Sequence, residues 1–260
     1  MLLFAPLRRL SPLLRAGVAF CLTFTASGLA AGGAWALDDG RDVPRVVSFG
    51  GFCVKCDLSS RKLAGARFVG GDFQRAAFIG ADLRGAVIVG SNFSGADFSR
   101  ADLRGSAMTG ATFQNADFTR ANLVGLEALG ATFLEATLQG ARLDSGTLLN
   151  ADLRRVKARG ASFAHANLTG ANLEAGDFEG ASFEDADLLG ATLGSGQFAK
   201  ANFKGARLRG AQLQGTDLTQ AINLTKDQVA GACGDRATRL PGGLIARPCV
   251  GRLLIVRRPP

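Results

Sequence analysis

Cys53 and Cys56, three residues apart, are the side chains best suited by type and spacing to do chemistry. A Cys-x-x-Cys pair serves as a redox couple, as half of a metal site or as a structural bridge. Haem attachment would require a histidine next, and Asp57 stands there instead. A zinc site requires two further ligands nearby, and none is evident around the pair. No strand-then-helix pattern of the thioredoxin kind surrounds it. A structural bridge is the reading that asks for nothing more; redox and metal roles stay open beside it.

The rest of the reactive inventory is thin. There is one His, no Tyr and one Trp against 18 Phe. General acid–base and nucleophilic chemistry draws mainly on His, Tyr, Cys or clustered carboxylates. The composition therefore argues against a conventional hydrolase or oxidoreductase, and no catalytic, cofactor-binding or metal-ligating set is assigned. His165 has no nucleophile context and reads as an exposed corner residue. Asp recurs at regular spacing, as at Asp82, Asp97, Asp102 and Asp117, which raises calcium as a thought. The column is mixed with Asn, Thr and Ser, and lacks the Gly-Gly-x-Gly-x-Asp pattern of calcium β-rolls. Turn-forming hydrogen bonds to the backbone are the expected use.

Charge is unevenly placed in a chain of formal net charge +8. Residues 1–36 hold three basic and no acidic side chains, residues 226–260 seven and two, and the span between them 20 of each. A general polyanion-binding surface is not indicated, and no nucleic-acid partner is expected. Arg84/Arg104 and Arg100/Arg120 are expected to be neutralised by the nearby Asp82/Asp102 and Asp97/Asp117. The cluster Arg154, Arg155, Lys157 and Arg159 is expected to pair with Glu135, Glu174, Asp177 and Glu179.

What positions these residues is a period of five. Of the 33 positions taken every fifth residue from Leu58 to Leu218, all are Leu or Phe except Ile88, Met108, Ala128 and Ala158. A small residue, usually Ala, lies two positions earlier. Gly occupies 18 of the 33 positions two residues later. Five matches neither the helical period of 3.6 nor the strand period of 2. It suits a short straight side followed by a corner, with Gly supplying positive φ where a corner needs it. One turn of such a chain cannot bury its own apolar residues, so turns must stack. Eight Phe pairs recur at an offset of 20, five at 15 and one at 10, which favours 20 residues per coil. Leu126/Ala128 and Val156/Ala158 exchange large and small residues, roughly conserving volume, and read as packing variants.

Copies such as Ala81-Asp82-Leu83-Arg84-Gly85, Ala101-Asp102-Leu103-Arg104-Gly105 and Ala171-Asn172-Leu173 resemble the pentapeptide repeat family, whose unit is Ala-(Asp/Asn)-(Leu/Phe)-x-x. That resemblance implies an all-β fold: a right-handed, quadrilateral parallel β-helix, a solenoid of about eight coils with four repeats in each. It divides the chain into a repeat array at 56–220, an N-terminal flank at 37–55 and a C-terminal cap with a basic tail at 221–260. Thr225-x-x-Gln228 reads as a capping box opening a short helix. The apolar stretch Leu253 to Val256 is expected on the final coil.

Residues 1–36 read as a signal peptide. Arg8, Arg9 and Arg15 lead an uncharged run from Ala16 to Ala31, and Ala34-Trp35-Ala36 supplies the small-x-small pattern for cleavage after Ala36. An uncleaved anchor is the competing reading. Gly28, Gly32 and Gly33 interrupt the run, where about 20 apolar residues are needed to span. No stable membrane span is expected after processing, and the implied location is the periplasm or the exterior, by either general or twin-arginine export.

Such a compartment favours disulfides, and the processed chain would keep four cysteines. Both flanks, Cys53-Val54-Lys55-Cys56-Asp57-Leu58 and Ala232-Cys233-Gly234-Asp235 to Cys249, resemble those of exported proteobacterial pentapeptide proteins. Bridged Cα atoms lie within about 7 Å, so a rigid rod forbids pairing between its ends. Cys233 with Cys249 is the favoured bridge, worth about 3 kcal/mol on the chain-entropy account. Cys53 with Cys56 is the second candidate.

Together these readings imply a non-enzymatic exported scaffold or protein-binding module, monomeric or joined end to end, with an unidentified protein partner. Two alternatives stand beside it. Some pentapeptide repeat proteins mimic DNA and bind gyrase, but mimicry wants a strongly negative surface and this repeat region is neutral. A redox protein built on Cys53 and Cys56 is the other.

Overall fold

The computed structural model describes residues 48–249. The leader with Ala34 and Ala36, most of the N-terminal flank, and the Leu253 to Val256 stretch lie outside them. The described chain is a stack of parallel β-bridges. One bridge falls every five residues, and each joins a residue to the one 20 positions on, from Phe52↔Asp72 through Asn202↔Ile222. Only three short stretches lengthen into strands within the stack: β1 (Ser48–Phe49), β2 (Arg67–Val69) and β3 (Val87–Val89), which pair in that order, all parallel. The sides are short because each bridge is followed by a turn, so the ladder is made of many two-bond rungs. Phe78 N donates to Asp97 O at 2.7 Å and Asp97 N to Ala76 O at 3.0 Å, and this pattern recurs throughout.

The stack buries what the pattern of five selects. From Leu63 to Leu218 the central Leu, Phe, Ile, Met and Ala side chains and the small residues two positions earlier form one continuous core. All eight Phe pairs offset by 20 are stacked face to face, with centroids 4.8–5.5 Å apart, in the order Phe73–Phe93–Phe113–Phe133, Phe78–Phe98–Phe118, Phe163–Phe183–Phe203 and Phe178–Phe198. Such offset-parallel contacts add to the area each ring removes from water. Leu126, Ala128, Val156 and Ala158 are all fully buried, so both exchanges of large and small occur inside the core. Three small positions hold a buried hydroxyl: Ser91 Oγ donates to Phe68 O and Thr216 Oγ1 to Leu193 O, while Ser106 Oγ has no partner among the described residues.

The corners differ from the sequence expectation in one respect. Positive φ was expected where Gly stands; every fifth residue from Lys55 to Gly215 has it, Gly or not. Arg155 (φ 53°), Ala175 (φ 55°) and His165 (φ 58°) adopt the same left-handed turn as Gly190 (φ 64°). The geometry of the coil demands that conformation, and the stacked core on both sides imposes it on residues that would avoid it.

Both flanks join the stack. Phe49 pairs with Phe68 at an offset of 19 and stacks on its ring at 5.0 Å. At the other end, Cys233 bridges Gln212 and Arg239 bridges Asp217, at offsets of 21 and 22. The first extra residue falls in the segment carrying helix α1 (Lys226–Ala230), whose N-cap Thr225 and Gln228 make the expected capping box, and the second falls between Cys233 and Arg239. Gln228 also donates from Nε2 to Phe203 O and Ala206 O, at 2.7 and 2.8 Å, and Val229 is buried. Strand β4 (Cys233–Gly234) then pairs with β5 (Arg247–Pro248) beyond it. These contacts close the apolar end that Phe203, Leu208 and Leu213 would otherwise expose.

Candidate functional site

The cysteines sit at the two ends of the stack. Cys53 and Cys56 are bonded to each other, with Cα atoms 5.4 Å apart, and both lie half-buried against the first core residues. Cys233 and Cys249 are bonded likewise at 4.7 Å, tying β4 to the end of β5. Each pair is thus local to one end, as a stiff stack requires. Among the described residues, no group of three or more His, Cys, Asp and Glu is gathered where it could hold a metal ion. His165 is exposed on its corner, with Nδ1 3.8 Å from Asp185 on the next coil.

The columns of Asp and Asn serve the turns. Each points outward and accepts from the backbone N–H two residues on: Asp97 from Ser99 at 2.8 Å, Asp117 from Thr119 at 2.8 Å, Asn167 from Thr169 at 3.1 Å, Asp187 from Leu189 at 3.1 Å. This satisfies a donor that the corner leaves free of the ladder.

Charge pairing follows the side of the rod on which each residue falls. Arg84 and Arg104 close on Asp82 and Asp102, at 2.7 Å each. These hydrogen bonds hold both carboxyls below the usual carboxylate range. Arg159 reaches Asp177 and Glu179, Lys204 reaches Glu184, Arg207 reaches Asp187 and Arg155 reaches Glu135. Two expected pairs are corrected. Arg154 turns to Asp152 in its own coil, not to Glu174, because the two share one face two residues apart. Lys157 loses Asp177 to Arg159, whose longer fork reaches it at 2.5 Å. A third correction concerns Arg100 and Arg120. Asp97 and Asp117 are engaged with the backbone, and neither arginine has a carboxylate within 4.0 Å among the described residues.

No helix among the described residues is long and apolar enough to cross a membrane. The molecule these features define is a β-solenoid with an apolar, closely stacked interior, a largely polar exterior on which Val69, Ile79, Val89 and Leu129 are exposed, and a disulfide at each end. The chain belongs to the pentapeptide repeat family: its sequence profile matches in eight copies that together span residues 53–222. Its members are right-handed β-helices, generally structural or binding modules without catalysis. Among solved structures the chain is similar to HetL of the cyanobacterium Nostoc sp. strain PCC 7120, a pentapeptide repeat protein involved in heterocyst differentiation regulation. The two are 27% identical over 72% of this chain and 81% of HetL, with a TM-score of 0.50. The chain also aligns with QnrB1, a plasmid-mediated fluoroquinolone resistance protein, at 21% identity over 74% of this chain and 94% of that one, with a TM-score of 0.32. A pentapeptide repeat protein of the Arabidopsis thaliana thylakoid lumen aligns at 31% identity over 57% and 81%, with a TM-score of 0.16. The last two superpose too loosely to carry an argument. No curated protein matches the chain.

Proposed function

We propose that the protein is an exported, non-enzymatic scaffold that presents the sides of a rigid rod to a protein partner. A four-sided rod of about eight coils is supported by the parallel bridges, which recur every five residues and pair at a spacing of 20 between residues 52 and 222. At about 4.8 Å per coil its length is roughly 40 Å. One observation carries the reading: the residue types that do chemistry are spent on structure. The four described cysteines are paired at the ends, and Asp and Asn along the sides bond backbone N–H groups. Export is supported by the leader pattern of residues 1–36, and the paired cysteines agree with an oxidising compartment.

Cell fractionation with sequencing of the mature N-terminus tests the export half. Recovery from the periplasm starting at Leu37 is expected; a cytoplasmic protein retaining residues 1–36 would overturn it. A processed chain also loses Trp35 and has no Tyr, so it should scarcely absorb at 280 nm. The scaffold half is tested by in-cell cross-linking from cysteines placed on the sides of the rod. Reproducible cross-links to one protein support it, and their absence on all four sides would sink it.

A further inference from the structure

We propose that the corner carrying Arg100 and Arg120 is a binding site for a small, multiply charged oxyanion, of the phosphate-ester or oligophosphate kind. The two arginines occupy the same corner on successive coils, about 4.8 Å apart along the axis. They border an open groove of about 410 Å³. Elsewhere on the sides Arg84, Arg104, Arg154, Arg159 and Arg207 close on carboxylates, while Arg61 and Arg75 have none within 4.0 Å among the described residues but stand without a second arginine on the next coil. Arg100 and Arg120 stand on the left-handed corner three residues after Asp97 and Asp117, whereas Arg84, Arg104 and Arg154 stand two residues after the Asp each closes on. Two guanidinium forks are thus left side by side with no carboxylate closed on either, an arrangement matched by tetrahedral oxyanions with several acceptor oxygens.

The neighbours suit the same ligand. Ser99, Thr119 and Gln139 stand in file beside the arginines and offer neutral donors on three successive coils. Gly140 follows Arg120 on the corner, and a β-carbon there would lie 3.7 Å from Arg120 Cγ, so the stem of Arg120 packs along the next coil. Arg159, anchored by Asp177 at 2.5 Å and Glu179 at 3.1 Å, also lines the groove. Asp117 is the one carboxylate lining the groove and works against an anion. It carries one negative charge against two guanidiniums, and its Oδ1 accepts from Thr119 N. No aromatic or large apolar side chain lines the groove, so a nucleobase would find no stacking surface. The site therefore favours the anionic group itself, and a ligand with more than one charged centre over a lone phosphate.

Calorimetric titration of the full processed chain with inorganic pyrophosphate, at low ionic strength to limit screening, tests the proposal. Two double variants each remove two positive charges: Arg100→Gly with Arg120→Gly, and Arg84→Gln with Arg104→Gln. Glycine is the commonest residue at these corners, so the first variant is expected to melt no lower than the parent. Pyrophosphate should bind saturably and more tightly than orthophosphate. Binding should weaken about tenfold or more in the corner variant, as expected for lost bidentate contacts, and change less than about twofold in the other. No saturable binding, or equal weakening in both variants, would overturn the assignment, as would binding of duplex DNA without binding of pyrophosphate.

Discussion

The exchange of large and small residues at Leu126 and Ala128 makes a sharp energetic prediction. Both side chains are fully buried, in a coil whose backbone is held from both sides: Glu127 N donates to Ser106 O at 2.8 Å, and Ala128 N to Thr147 O at 2.7 Å. The coil cannot collapse into a void without breaking these bonds. Leu126→Ala should therefore cost about 3–4 kcal/mol, toward the middle of the range for buried Leu→Ala changes. Ala128→Leu alone overpacks a slot that Leu126 already fills and should cost about 1–3 kcal/mol. The double variant restores the ordinary repeat and should lie within about 1.5 kcal/mol of the parent, which is a large favourable coupling. The next coil adds a second check. A β-carbon on Gly146 would lie 2.5 Å from Leu126 Cδ2, its nearest contact, with Leu143 O next at 3.0 Å, so Leu126 is the main obstacle to a larger residue there. Gly146→Ala should destabilise the parent and be nearly neutral once Leu126 is Ala. Equilibrium denaturant unfolding followed by far-ultraviolet circular dichroism reads all of these. Additive effects around either cycle would refute the idea that the two positions share one volume.

Three further predictions concern the corners, the cap and the surface charges. Gly190→Ala meets nothing within 4 Å but must adopt φ near 64°, so it should cost about 1 kcal/mol from conformation alone; Ala175→Gly, at φ 55°, should stabilise by a similar amount, and denaturant midpoints moving the other way would contradict both. Reduction of Cys233–Cys249 should loosen the last coil by about 3 kcal/mol, seen as faster amide exchange across residues 221–240 while residues 93–133 stay protected; uniform loosening along the rod would contradict a local cap. Asp82, Asp102 and Asp152 have carboxyl pKa values lowered by hydrogen bonds from Arg84, Arg104 and Arg154. Their contribution is therefore complete above about pH 4, the unfolded carboxyl value, and fades as pH falls through the lower folded values. The urea midpoint should be flat from neutral pH to about pH 5 and drop below about pH 4; a midpoint that rises on acidification would show that these pairs do not stabilise the fold.

The interior was legible from the order of residues alone. Leu and Phe at every fifth position, small residues two before, and Phe recurring at 20 specify which side chains are buried and how far apart stacked partners lie. Burial is worth kilocalories per residue and repeats with the chain, so it leaves a periodic record. Thr225 and Gln228 could be read for the same reason, since a capping box is local. The candidate site left no such trace. Arg154 prefers Asp152 to Glu174, Arg159 displaces Lys157 from Asp177, and Arg100 and Arg120, on the corner three residues after Asp97 and Asp117, have no carboxylate within 4.0 Å among the described residues. Several carboxylates lie within reach of every surface arginine, and each exposed pair is worth under about 1 kcal/mol. Differences that small are settled by where the corners aim each side chain in space. The left-handed turn at Arg155 or His165 is settled likewise, by the coils stacked above and below it and not by the preference of the residue itself.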